Sequence, residues 1–329
     1  MRKIAVATWV TLIISFSSLA VVCAQQRVRV AWAGSSMAPS AVWAAQDRAF
    51  FKRNGLDAEV IVVSSGVIAL QALLAGEVEI IVVSGSTLVN SRLSGADTIM
   101  VSTLVPYFMD HVITSPAIKS AEQFKGKTGG VNRQGTVSEM GLRHALRRFG
   151  VDPDKDVKII PVGGNPERIA ALSRNLIQFA TMGEPFVREA EKAGMKSFVD
   201  IGALKIPFHT NGILTRETTV KSKRPLIARF VRALTEAIHY IKTDKEGAKA
   251  VVGRNLKVTD AESLERAYRG FAPIFPEVPY PTVEGVKTAL DDLAPRNPKA
   301  AAADPKSFVA MSFVQELESS GFIKQLYKK

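Results

Sequence analysis

The sequence predicts an α/β protein with mostly parallel sheets flanked by helices, divided into two domains. Three observations carry this expectation. From Arg27 a single unit recurs, made of a short apolar strand, a Gly/Ser loop, an amphipathic helix and a glycine stop, and alternation of this kind implies parallel strands with crossover helices. Around Pro106 the rhythm breaks, and beyond the Ser115-Pro116 step the same unit resumes. The chain of 329 residues also exceeds what one hydrophobic core ordinarily serves.

The elements follow in order. Val28, Val30 and Trp32 alternate in the first strand, Gly34-Ser35-Ser36 forms the loop, and a helix is expected from about Pro39 to Asn54 with its stop at Gly55. The second unit runs Ala58–Val63, Ser64-Ser65-Gly66, a helix through Leu73, then Gly76. The third runs Glu79–Val83, Ser84-Gly85-Ser86, a helix from Thr87, then Gly95. Strand Thr98–Leu104 leads through Pro106-Tyr107-Phe108 to an extended piece, Asp110–Thr114, read as the crossing into a second domain.

That domain repeats the pattern. It has strand Thr128–Asn132, loop Arg133-Gln134-Gly135 and a helix from Thr136 to Phe149, whose start spells a capping box, Thr136-Val137-Ser138-Glu139. Strand Val157–Val162, loop Gly163-Gly164-Asn165 and a helix with Pro166 at its first position come next. Gln178–Met182, Gly183-Glu184 and a helix Pro185–Ala193 close the set, and Asn211–Thr215 is expected to return to the first domain. A faint repeat at an offset of 99 residues pairs Leu73 with Leu172, Gly76 with Asn175, Val78 with Ile177 and Ser84 with Gly183. The remainder is mainly helical, led by Arg224–Thr243 with Phe230, Leu234 and Ile238 on one face. The expected division is 1–24 as a leader, 25–112 with 211–329 as a discontinuous first domain, and 113–210 as an inserted second domain.

Arg2 and Lys3 precede an apolar run, Ile4–Val22, that ends in Val22-Cys23-Ala24, the layout of a secretory signal peptide cleaved after Ala24. Thr8, Thr11, Ser15, Ser17 and Ser18 dilute the run, which argues against an uncleaved anchor. Val22 is a poor neighbour for lipidation at Cys23. Cleavage would leave 305 residues with net charge +10 and no cysteine, which excludes a disulfide, a thiolate nucleophile and a Cys-ligated metal in that part of the chain. The expected location is the periplasm. Nucleic acid is the weakest reading of the basic excess, because clusters such as Arg143, Arg147 and Arg148 lack interleaved aromatics.

In open α/β sheets a ligand binds beyond the carboxyl ends of the strands, where loops lead into helices. Six such loops offer short hydroxyls and free backbone N–H groups at helix starts, which suits a small polar or anionic molecule. In the first domain they supply Ser35, Ser36, Met37, Ser65, Gly66, Ser84 and Ser86 as candidate ligand contacts. In the second they supply Arg133, Gly135, Thr136, Gly164, Asn165, Gly183 and Glu184. Gly and Ser also serve tight turns and caps, so convergence of six loops on one cleft says more than any one of them. Arg133 is the candidate partner for an anionic group. Glu184 is the candidate partner for an amine or ring N–H. Tyr107, Phe108, Phe186 and Phe208 are candidate cleft walls, His209 and Asn211 adjoin the return crossing, and Trp32 and Trp43 read as core.

No Gly-x-Ser-x-Gly elbow, His-Glu-x-x-His helix, P-loop or cysteine pair occurs. His111, His144, His209 and His239 lack metal-ligand spacing, so neither catalytic residue nor cofactor nor metal is expected.

Four stretches resemble the nitrate-, taurine- and aliphatic-sulfonate-type substrate-binding proteins of ABC importers. They are Ala49-Phe50-Phe51-Lys52-Arg53-Asn54-Gly55-Leu56, Leu74-Ala75-Gly76-Glu77-Val78-Glu79, Ser120-Ala121-Glu122-Gln123-Phe124-Lys125-Gly126-Lys127 and Gly183-Glu184-Pro185-Phe186. Their order and spacing span nearly the whole chain after the leader. Glu79 departs from the pattern, since many relatives carry Asp there. The resemblance implies a class II periplasmic-binding-protein fold, two α/β domains joined by two crossing strands, and a monomeric receptor that closes on a solute and delivers it to a permease. The same superfamily includes thiamine-pyrimidine synthases, which use a cysteine-rich motif that this chain lacks. A pyrimidine-synthase-like enzyme or a ligand-sensing module is the alternative.

Overall fold

Strand β1 (Gln26–Ala33) pairs in parallel with β2 (Leu56–Val63) along its whole length, from Gln26 opposite Leu56 to Ala33 opposite Val63, and with β3 (Ile80–Val83) on its other edge. Helices cover both faces of the sheet. Val28, Val30 and Trp32 therefore pack into one core cluster while Ala31 faces another, and all four residues of β3 are buried. The computed structural model describes residues 25–33, 39–184 and 186–328. The leader 1–24 and the first βα loop, with Ser35, Ser36 and Met37, lie outside the described residues.

The first sheet has the order β2-β1-β3-β10-β4, in which β10 (Pro207–Arg216) runs antiparallel to both β3 and β4 (Thr98–Tyr107). The second has the order β7-β6-β8-β5-β9, built from β5 (His111–Thr114), β6 (Thr128–Val131), β7 (Lys158–Pro161), β8 (Phe179–Met182) and β9 (Lys196–Asp200). The two orders are the same arrangement. In each, a parallel trio is followed by an antiparallel strand that enters from the other lobe, then by an edge strand.

The repeat at offset 99 has a structural basis. Gly76 and Asn175 both hold positive φ, +76° and +55°, at the turn after a helix, and Leu73, Leu172, Val78 and Ile177 are all buried. Asn is the residue that best tolerates this conformation without being glycine.

Three local expectations need correction. The Pro39–Asn54 helix is two pieces, Ser40–Asp47 and Phe50–Arg53, because Ala49 turns left-handed at φ +57°. The break re-aims two aromatics into the core, where Phe51 stacks on Phe230 at 5.1 Å and Phe50 meets the edge of Tyr240 at 5.9 Å. The capping box at Thr136 does not close: the Thr136 hydroxyl donates to the Arg133 carbonyl, and Glu139 accepts instead from the N–H of Gly135. A complete box forms at Ser120 and Gln123, before a single turn of 3-10 helix. Strand β9 was not anticipated, because its exposed edge reads polar at Lys196, Ser197 and Asp200.

The Arg224–Thr243 helix lays Leu226, Phe230, Leu234 and Ile238 against β1 and the Ser40–Asp47 helix, as its 3.6-residue period requires. In the second lobe, Gly129 on β6 has the ring of Phe179 directly over its Cα, so a side chain there would collide with it. Gly129→Val is expected to destabilise the protein by about 1–3 kcal/mol through overpacking, read from the urea midpoint. An unchanged midpoint would mean that Phe179 moves aside freely.

Candidate functional site

The carboxyl ends of β2 and β3 in one lobe, and of β6, β7 and β8 in the other, lead into the described loops. In the first lobe the Ser65 hydroxyl accepts from the Ile68 N–H at 3.3 Å and caps the Gly66–Leu74 helix. Ser84 shares hydrogens with Ser86 at 2.8 Å and Thr87 at 3.3 Å, forming a hydroxyl cluster at the start of the Gly85–Leu93 helix. A Cβ on Gly66 would lie 3.1 Å from the Thr87 hydroxyl, so the glycine lets these two loops close on each other. Ser86 itself is buried.

In the second lobe Gly135 holds φ +72°, and its carbonyl receives a long 3.5 Å contact from the Asn90 amide of the Gly85–Leu93 helix. This contact brings the loop after β6 to the first lobe. Arg133 and Glu184 are exposed, and Thr136 and Gly183 are partly so. Gly164 caps the Asn165–Ser173 helix, and Asn165 stands at that helix's first position instead of in the loop.

Two charged residues that composition and spacing did not single out belong to this region. Arg168 is 4% exposed. Its Nη1 donates to the Thr181 carbonyl at 2.6 Å and the Ser138 hydroxyl at 3.0 Å, its Nη2 to Asn165 Oδ1 at 2.6 Å, and its Nε to the Gly164 carbonyl at 3.2 Å. The guanidinium therefore locks the loop after β7 and strand β8 to the start of the Val137–Arg148 helix. The available signal was a cation in the first turn of a helix, where the dipole disfavours it. Asp110, just before β5, is the second. His111 pairs with Met182, which sets Asp110 beside Gly183 at the carboxyl end of β8, and its Oδ1 lies 3.2 Å from where a Cβ on Gly183 would be. Burial raises its carboxyl above the usual range, against the pull of Arg168 and His111.

Other expected site residues belong to the hinge. Phe108 is 1% exposed and stacks on Phe208 at 4.2 Å, so both rings are core between the crossings and neither is a cleft wall. His209 is 0% exposed. Its Nε2 donates to the Thr282 carbonyl at 2.9 Å and its Nδ1 faces the Thr103 hydroxyl at 3.1 Å, so both ring nitrogens are engaged inside the protein. Desolvation pushes its pKa down to about 4 and keeps it neutral. Asn211 is nearly buried, with its carbonyl accepting from Thr103. Tyr107 is partly exposed beside them, its carbonyl taking the Thr210 hydroxyl. Trp32 and Trp43 are buried edge to face, as expected of core.

Behind the hinge an ionic ladder ties the lobes together. Arg147 reaches the buried Asp292 at 2.8 Å, Arg296 reaches the same carboxylate at 3.2 Å, and Arg143 holds Asp154 at 2.6 Å. Two surface depressions, one around Asp47, Arg53 and Tyr240 and one around His144, Asp154 and Asp292, include none of the βα loop residues. Among the described residues no cluster of metal-ligating side chains occurs, and no helix is long and apolar enough to cross a membrane.

Two α/β lobes of identical strand order, joined by two crossings, constitute the periplasmic-binding-protein fold in its class II arrangement. The chain belongs to the NMT1/THI5-like family, whose profile matches residues 39–248. A Brucella abortus (strain 2308) chain named as a binding protein is 26% identical over 247 residues, covering 74% of this chain and 76% of that one. The fold is similar to that of the periplasmic aliphatic sulphonate binding protein SsuA from Escherichia coli, with TM-score 0.71 at 14% identity over 87% of this chain and 92% of that one. It is equally similar to the periplasmic nitrate-binding protein NrtA from Synechocystis PCC 6803, with TM-score 0.71 at 13% identity over 92% of this chain and 91% of that one.

Proposed function

We propose that the protein is the periplasmic solute receptor of an ABC importer, binding a small organic anion or zwitterion by hinge closure and handing it to permease subunits as a monomer. The observation that carries this reading is the pair of topologically equivalent lobes, with the Gly135 loop of one reached by Asn90 on the Gly85–Leu93 helix of the other. We assign 25–112 with 211–329 to one lobe and 113–210 to the other. The names of the relatives support the reading, since sulphonate- and nitrate-binding receptors share the fold. The test is a thermal-shift screen of the protein against small anions, sulfonates, carboxylates, amino acids and pyrimidines. A solute at about 100 times its dissociation constant adds roughly 2.7 kcal/mol of stability. No shift with any of these classes would sink the reading. Export with cleavage after Ala24 belongs to the same proposal and gives a periplasmic form beginning at Gln25.

Arg133 is exposed and gives no hydrogen bond from its side chain to any described residue. It is free to meet an anionic group, which a charged hydrogen bond stabilises by about 1.5–3 kcal/mol. Arg133→Ala is expected to weaken binding of the anionic solute roughly ten- to a hundredfold, measured by calorimetric titration. The melting temperature of the empty protein should barely move. Unchanged affinity would assign Arg133 to the solvated surface.

A further inference from the structure

We propose that Asp110 accepts a hydrogen bond from an N–H group of the bound solute, so that the solute carries a protonated amine or ring N–H beside its acidic group. This deepens the receptor reading above and rests on it. The position is the first argument. Asp110 lies where the chain passes from β4 of one sheet to β5 of the other, beside Gly183 at the carboxyl edge of β8, the edge at which α/β folds bind ligands. Any side chain at residue 183 would crowd the carboxylate, so the glycine keeps its approach open.

The second argument is the state of the carboxylate. Its backbone carbonyl is used, by the N–H of Ile201 at 2.9 Å, yet its side chain accepts no hydrogen bond from a described residue. Arg168 is the cation that acts on it, but the N–H groups of Arg168 go to Gly164, Asn165, Ser138 and Thr181. His111, the other positive influence, is turned toward Ser197 at 3.0 Å and Asp200 at 3.7 Å. The contrast with Glu139 is direct, because that carboxylate is also buried and has Arg143 at 2.8 Å and the N–H of Gly135 at 2.6 Å. A partly buried carboxylate without a donor among the described residues is costly to fold around. Burial raising its proton affinity is the same cost seen from the side of titration. Such groups concentrate at functional sites, where a ligand supplies what the protein withholds.

The third argument is the complement. Arg133 and the N–H groups at the helix starts favour negative charge, so a site with Asp110 suits a molecule bearing both signs. A bare inorganic oxyanion would leave Asp110 unpaired.

The test uses calorimetry on the protein and its Asp110→Asn variant with two matched pairs of probes: 2-aminoethanesulfonate against ethanesulfonate, and 3-aminopropanoate against propanoate. In the pair that fits the cleft, the amine-bearing member is expected to bind at least about tenfold tighter. Asp110→Asn should abolish that preference, and the amine-free member should bind the variant no more weakly than it binds the unsubstituted protein, because the amide removes an unpaired negative charge beside the anion. Equal or tighter binding of the amine-free member, or a preference that persists in the variant, overturns the proposal and leaves the receptor reading standing. No binding by any probe overturns both. The empty proteins supply a second measurement. Without ligand at pH 7 the variant should melt at or above the temperature of the unsubstituted protein, and the gap should close in acid as Asp110 takes up its proton. A lower melting temperature would make the carboxylate a structural partner of Arg168 and overturn the proposal.

Discussion

Arg168→Ala is expected to destabilise the protein by about 3–5 kcal/mol, because several buried or partly buried acceptors lose a charged donor at about 1–3 kcal/mol each. The side chain is 4% exposed and donates to groups on the loop after β7, on strand β8 and at the start of the Val137–Arg148 helix. Its loss leaves the buried Thr181 carbonyl and the partly buried Asn165 amide oxygen without this donor and removes the larger of the two positive influences on Asp110. At about 2–4 °C per kcal/mol for a domain above 150 residues, the melting temperature should fall by on the order of 10 °C. Arg168→Lys should recover only part of this, because an ammonium restores charge without the planar fork. A loss under about 1 kcal/mol for the alanine variant would show that water replaces the guanidinium.

The second large effect is on pH. His209 is neutral in the fold with a pKa near 4, whereas the unfolded ring titrates at 6.5. Between these values the unfolded chain binds more protons than the native one, so stability falls as the solution is acidified. The contribution is complete above about pH 6.5 and has lost about 3 kcal/mol by pH 4. Chemical denaturation at pH 7, 6, 5 and 4 should show this slope, and His209→Gln, which keeps a donor for the Thr282 carbonyl, should lack it. The difference between the two proteins isolates the ring from other acid-sensitive groups such as Glu265, which its lysine and arginine partners hold at about 2. A direct NMR titration of the ring gives the same information if the glutamine variant folds poorly. A ring that protonates near pH 6.5 would contradict the burial.

The strands and their loops were legible because each depends on a few consecutive residues. Val28, Val30 and Trp32 announce β1, and Ser64, Ser84 and Gly183 announce loops, whatever lies elsewhere in the chain. The site's charged floor was not legible for the opposite reason. Arg168 is buried only because the loop after β7 and strand β8 converge with the Val137–Arg148 helix, and Asp110 is significant only because β5 enters the sheet beside β8. His209 adjoined the return crossing in sequence, yet the Val283–Leu293 helix, whose cap residue Thr282 accepts the Nε2–H hydrogen bond through its carbonyl, closes over it. Arg143 and Arg147 read as a solvated helix face. In the fold they are half of a ladder to Asp154 and Asp292, residues up to 145 positions away.

The exchange of antiparallel strands between the sheets fixes an order of assembly. The second sheet, β5 through β9, is contiguous and can pair completely as soon as Asp200 has emerged. The first cannot: β10 must slot between β3 and β4, with Gly212 opposite both Val83 and Thr103, contacts that close loops of more than a hundred residues. Loop closure of that length and two-sided pairing are slow relative to local contacts. Until Pro207–Arg216 arrives, β3 and β4 each keep an open edge, so the contiguous sheet is expected to complete ahead of the one whose strands both precede and follow it in sequence.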